Sequence, residues 1–96
     1  MAFDQMKMVN QLRKAQKDLA KEIIEVEAGD GAVVIQFSAE MKVKSVKIDP
    51  ALVDLDEIED LEHWMEIAIR DGLAKAQEVA AEKMKPLMGG LGNLGL

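Results

Sequence analysis

The chain has no cysteine, no tyrosine and no threonine. It has one histidine, His63, two serines, Ser38 and Ser45, and three aromatic residues, Phe3, Phe37 and Trp64. Each shortage removes a class of function. Without cysteine there is neither a disulfide framework nor a thiolate zinc site. A nucleophile with its base and orienting group does not assemble from two serines and one histidine, so catalysis is not expected. Three aromatic residues leave little to stack on unpaired bases. No apolar run approaches the ~20 residues of a membrane span, and Asp4 and Lys7 bring charge to the N-terminus where a signal peptide is apolar. Phosphate-cradling loops are missing too: Gly29-Asp30-Gly31 lies between two β-prone runs, and GGLGNLG near the C-terminus has no lysine and helix after it. The expectation is a soluble cytoplasmic protein with no cofactor, no metal and no small-molecule substrate.

What is present orders itself into one small domain. About half of the 96 residues are apolar and about a third charged, a globular composition. From Asp4 to Ile24 there is no glycine or proline, and Met8, Leu12, Ala15, Leu19 and Ile23 recur at three- and four-residue steps. That spacing predicts a helix roughly 30 Å long with Asp4 as its N-cap. The segment Val26–Asp49 has strand character. Gly29-Asp30-Gly31 marks a hairpin, Val33, Ile35 and Phe37 alternate with Val34, Gln36 and Ser38, and KVKSVKID supplies a third strand after the turn SAEM. Pro50 ends that strand. Asp54 or Asp56 then caps a second long helix reaching about Lys85.

The apolar face of the second helix runs through Ile58, Leu61, Met65, Ala68, Ile69, Gly72, Leu73, Ala76, Val79 and Ala80. Gly72, at its centre, costs ~1 kcal/mol in helix propensity, which predicts close approach of another backbone there. The Gly-rich stretch 87–96 is expected to be a mobile tail beyond a single domain spanning residues 1–86. The order helix–strand–strand–strand–helix is an α+β arrangement with a three-stranded antiparallel sheet. Two long helices and three strands leave helix overhangs with no monomeric core beneath them. An intertwined homodimer, in which paired helices and sheets cover one another, is therefore expected.

The charges are unevenly shared. Residues 1–48 carry eight Lys or Arg against seven Asp or Glu; residues 49–96 carry four against eleven. An acidic chain cannot be wrapped in phosphate contacts, so any nucleic-acid surface has to concentrate its cations. The first helix does so. At about 100° per residue, Lys7, Arg13, Lys14, Lys17 and Lys21 fall within a sector of about 120° with Asn10 near its middle. Asp4, Asp18, Glu22 and Glu25 gather in a strip beside it. The sector reads either as a solvated, ion-paired helix face or as a phosphate-binding surface to which Asn10 adds an amide for phosphate or a base edge.

Other charged groups have plainer readings. Lys42 and Lys44 share one face of the third strand and Lys47 the other by alternation, which suits an edge strand guarded against aggregation. The acids Asp54, Asp56, Glu57, Glu59, Asp60 and Glu62 lack the spacing of a calcium loop and favour the helix macrodipole instead. His63 falls on the polar side of the second helix, a solvated surface position.

Three stretches together carry a family resemblance: the Gly-flanked hairpin followed by VVIQF, the segment VKIDPAL from Val46 to Leu52, and AIRDGLAKA. With the Lys/Gln-rich helix before them, they make the chain from about Met6 to Met84 resemble the YbaB/EbfC family of bacterial nucleoid-associated proteins. The resemblance implies an α/β homodimer with projecting helices that binds double-stranded DNA with low or relaxed sequence specificity, located at the nucleoid and affecting its organisation and gene expression, with no enzymatic activity. Two features depart from the family pattern. A GGLGN string stands at Gly89–Asn93 rather than before the first helix, and Ser38-Ala39 replaces the Asn-Gly of the second turn. The family offers no sharp DNA-contact motif to carry over, so Lys7, Asn10, Arg13, Lys14, Lys17 and Lys21 are the expected DNA-binding residues on the strength of the basic sector. The competing expectation is a dimeric protein-interaction module without DNA binding, acting through its acidic helix or apolar tail.

Overall fold

Among the described residues of the first helix, Leu19 is the one that the core buries, and the architecture follows from that narrow attachment. The computed structural model describes the backbone of residues 2–92 and the side chains of residues 5–86. Helix α1 spans Ala2–Lys21, strands β1 (Ile23–Ala28), β2 (Val33–Ser38) and β3 (Val43–Ile48) follow, and helix α2 spans Ile58–Gly92. The strands form one antiparallel sheet in the order β1-β2-β3. The α+β class and the three-stranded meander are those the sequence pattern predicts.

α2 lies across β1 and β2. Ile24, Val26 and Ala28 pair with Phe37, Ile35 and Val33 and point at the helix, while Ile23, Glu25 and Glu27 between them stay exposed. Ala68 and Ala76 are fully buried on α2, and with Gly72 they make a row of small residues spaced at i, i+4 and i+8. The row lets the helix sit close to the sheet. At Gly72 the neighbour is the ring of Phe37, lodged where a Cβ would be. The close approach foreseen at this glycine is therefore made by an aromatic side chain and not by a second backbone. Gly29 has the same relation to Trp64: a Cβ there would lie 2.5 Å from the indole, and its φ of +66° is in the left-handed region.

Four boundaries differ from the expected ones. α1 begins at Ala2, which places Asp4 inside the helix, and it closes at Lys21. Ile23 and Ile24 belong to β1, since pairing with Ser38 and Phe37 outweighs the helical spacing that Ile23 shares with Leu19. Asp54 does cap, but what it caps is a 3-10 turn, Leu55–Glu57, leading into α2; its Oδ1 accepts from the Asp56 N–H at 2.9 Å. α2 continues through Pro86 to Gly92 rather than ending near Lys85. Pro86 forfeits one backbone donor, yet the residues on either side are strong helix formers (Met84, Lys85, Leu87 and Met88). Of the tail, residues 93–96 lie outside the described residues.

The second turn, Ser38–Met41, solves the absence of glycine by holding Met41 at φ +72°. Its Ala39 N–H reaches the carbonyls of Leu19 and Glu22 at 3.1 and 3.0 Å, tying the end of α1 to the sheet. After the turn a bulge interrupts the ladder: Phe37 pairs with Val43 but Gln36 pairs with Ser45. Simple alternation across Lys44 is lost, which corrects the face assignment of Lys42 against Lys47. The bulge instead sets Val43, Val46 and Ile48 on the same sheet face as Phe37, Ile35 and Val33.

Candidate nucleic-acid interface

Among the described residues, α1 meets the rest of the molecule through its last turns. Every side chain from Gln5 to Lys14 is exposed, Ala15 is half-buried and Leu19 is buried. Met8 and Leu12, expected to lie on an apolar seam, are 43% and 40% exposed. The helix thus stands out as an arm, and the molecule extends 64 Å along its longest axis. Its radius of gyration is 18.5 Å, against about 12.5 Å for a compact chain of this length.

Lys7, Asn10, Arg13, Lys14, Lys17 and Lys21 are all exposed on this arm, in helical register on one side of it. The sector is turned away from the body: Asn10 lies about 180° around the helix from Leu19, the residue that docks α1. Among the described residues the ion pairs are Glu40–Lys42, Glu66–Arg70 and Glu22–Lys83, so none of the five cations of the sector is engaged in one. Glu22, which helical spacing sets in the acidic strip beside the sector, has its carboxylate 3.7 Å from the ammonium of Lys83 on α2. Glu25, placed in the same strip, lies on β1 and accepts from the Gln36 amide at 3.2 Å. Two of the four acids expected beside the cations are therefore occupied elsewhere. What remains is an exposed cationic surface whose charges have no ion-pair partner among the described residues.

Sequence reasoning passed over Met6. It is 65% exposed and sits inside the basic sector, one turn before Asn10. Gln5, Met6, Val9, Asn10 and Arg13 line an open groove along the helix surface. The four-residue step from Met6 to Asn10 carries this placement, which sets Met6 apart from the apolar stripe of Met8 and Leu12.

A second surface is apolar. α2 covers β1 and β2 but leaves the corresponding face of β3 open, so Val43, Val46 and Ile48 are 57%, 46% and 45% exposed. On its β1 side α2 presents Asp71, Ala74, Lys75 and Glu78, which line a groove with Glu25 and Glu27. Its opposite flank, toward β3, carries Ile69 and Leu73, 41% and 39% exposed. Leu52 and Leu55 in the turns after β3, and Ile58 at the start of α2, are 46%, 82% and 43% exposed. Of the ten α2 residues expected on the apolar face, Ile58, Ile69 and Leu73 are thus exposed, and with the β3 residues they make a patch of the kind that marks interaction sites.

Chemistry of other kinds has little material. His63 is exposed. Ser38 is fully buried with no hydrogen-bond partner for its hydroxyl among the described residues, and Ser45 donates to the Gln36 side chain at 3.2 Å. Among the described residues there is no cluster of three or more His, Asp or Glu that could hold a metal, and no helix is long and apolar enough to cross a membrane.

A small α+β protein with a free basic helix and an open sheet edge is the class these features define. The profile of the YbaB/EbfC DNA-binding family matches residues 2–91, and the chain belongs to that family. It is 41% identical over 87 residues to a nucleoid-associated protein of Chloroflexus aurantiacus, covering 91% of this chain and 87% of the relative. A nucleoid-associated protein of Dictyoglomus turgidum is 42% identical over 93 residues, covering 93% and 89%. The crystal structure of an uncharacterized protein from Helicobacter pylori shares the fold at a TM-score of 0.72 and 19% identity, covering 94% of this chain and 90% of that one.

Proposed function

We propose that this protein binds double-stranded DNA at the nucleoid as a homodimer, through phosphate contacts from α1 and with low or relaxed sequence specificity. The observation that carries this reading is the arm itself: five cations on one side of an exposed helix, unpaired among the described residues, in a chain of net charge −6. Phosphate affinity requires concentrated cations, and α1 is where this chain concentrates them. The acids of α2 lie on another element and discourage the polyanion from binding there.

The open flank supports the homodimer. Val43, Val46 and Ile48 with Ile69 and Leu73 form an apolar surface beside an edge strand whose backbone groups are unpaired on one side. A second copy covering this surface buries the β3 face that α2 leaves bare, and it doubles the cationic sector. Neither a free edge nor a bare apolar face is stable against association in a soluble domain.

The test is a titration of duplex DNA with the Lys14→Glu/Lys17→Glu variant, run beside a solution-mass measurement. The variant is expected to keep its fold and mass and to lose at least tenfold in affinity. Unchanged affinity would remove α1 as the binding surface. Binding confined to very low salt and indifferent to the reversal would favour a protein-interaction module instead.

A further inference from the structure

We propose that α1 reads base edges as well as phosphates, with Asn10 and Arg13 as the reading residues and Met6 as an apolar contact for a thymine methyl. The proposal rests on the DNA-binding reading and deepens it. Met6, Asn10, Arg13 and Lys17 succeed one another at steps of four, three and four residues, so they form a single stripe within about 60° of the helix surface. Lys7, Lys14 and Lys21, spaced by seven, form a parallel row on one side of that stripe. All seven side chains are exposed.

The two rows differ in chemistry. The flanking row consists only of lysines, compact charges on flexible stems that suit phosphate oxygens. The stripe holds an amide and a guanidinium, the two side chains that pair bidentately with adenine and with guanine in the major groove. Met6 has no use against a phosphate, and at 65% exposure in the midst of cations it gains nothing from the core. Beside a thymine it has a methyl group to cover. Gln5, Met6, Val9, Asn10 and Arg13 line one continuous groove, so the apolar and polar members of the stripe share a surface.

The arm can reach. A helix with its side chains is about 10–12 Å across, and the major groove is about 12 Å wide. No side chain from Gln5 to Lys14 is buried by the body, and the stripe points away from the docked residue Leu19. One amide and one guanidinium discriminate a short pattern only, which is how such a helix prefers some duplexes and still binds most.

Selection from randomised duplexes by the full-length protein at fixed salt tests this, followed by affinities for selected and scrambled duplexes. The selected pool is expected to be enriched in adenine and guanine at two fixed positions. Asn10→Ala and Arg13→Lys should each lower the selected-to-scrambled affinity ratio by about tenfold, with the salt dependence of scrambled-duplex binding unchanged. Lys14→Gln, lost from both copies of the dimer, should weaken both duplexes alike and make the salt slope shallower by about two. An unbiased pool from a protein that still binds scrambled duplex, or a ratio unmoved in both reading variants, overturns base reading and leaves phosphate binding standing. No binding to any duplex overturns both readings.

Discussion

Gly72 and Met41 occupy opposite ends of the same question, what a residue costs where it stands. Gly72 lies in a helix interior, where replacement by alanine ordinarily gains ~1 kcal/mol. Here the Phe37 ring occupies the space a Cβ needs. Overpacking costs about 1–3 kcal/mol, so Gly72→Ala should lose about 1 kcal/mol net. Pairing it with Phe37→Leu should recover part of what the double change would otherwise cost; urea unfolding of the four species measures both effects. Met41 is held at φ +72°, a conformation worth roughly 1–2 kcal/mol of strain for a residue with a Cβ, and at 38% exposure it surrenders little burial. Met41→Gly should therefore raise the urea midpoint, by up to about 1 kcal/mol of stability. The reverse sign would mean that flexibility gained by the unfolded chain outweighs the strain removed.

At the scale of elements, β3 is the strand without a cover. Its Val43, Val46 and Ile48 face the same way as the best-buried residues of β2, yet α2 lies over β1 and β2. A charge placed on that face meets water in the monomer but an apolar partner in a dimer, where an unpaired buried charge costs several kcal/mol. Val46→Glu should thus leave the circular dichroism of the fold intact and shift the solution mass from dimer to monomer. A variant that stays dimeric by sedimentation would place the self-association surface elsewhere. α1 is the complementary case, an element whose exposed side carries charge in place of apolar residues. Its attachment through Leu19, the Ala39 N–H bonds and the Glu22–Lys83 pair fixes where the arm starts and leaves its length free.

Across the whole molecule the opposition is between a net charge of −6 and a surface proposed to hold a polyanion. Separation resolves it, with the cations on the projecting α1 and the acids concentrated on α2 and the turns before it. Binding of this kind is driven by counterion release, so log K should fall linearly with log salt. Six phosphate contacts per dimer give a slope of about −5, and each lysine of the sector removed from both copies should make it shallower by about two. Anisotropy titrations between low and physiological salt measure the slope. A flat dependence would contradict phosphate contact as the source of affinity.

The order of elements, the strand alternation and the clustering of Lys7, Arg13, Lys14, Lys17 and Lys21 were all legible in the chain, because each depends on residues close in sequence: a 3.6-residue period, a two-residue period, a proline after a strand. The misreadings have a common cause. Ile23 fits the helical spacing but pairs with Ser38, and the space beside Gly72 belongs to a ring thirty-five positions upstream. The alternation across Lys44 is broken by a bulge that exists only against β2. None of these is local, so each was decided by which elements met and at what register. The same holds for the candidate site. Local spacing put its cations, and Met6 among them, on one side of a helix, whereas only the tertiary structure turned that side away from the body and drew Glu22 and Glu25 elsewhere. Helical period is a property of neighbours in the chain; freedom from burial and from counter-charges is a property of everything the chain folds against.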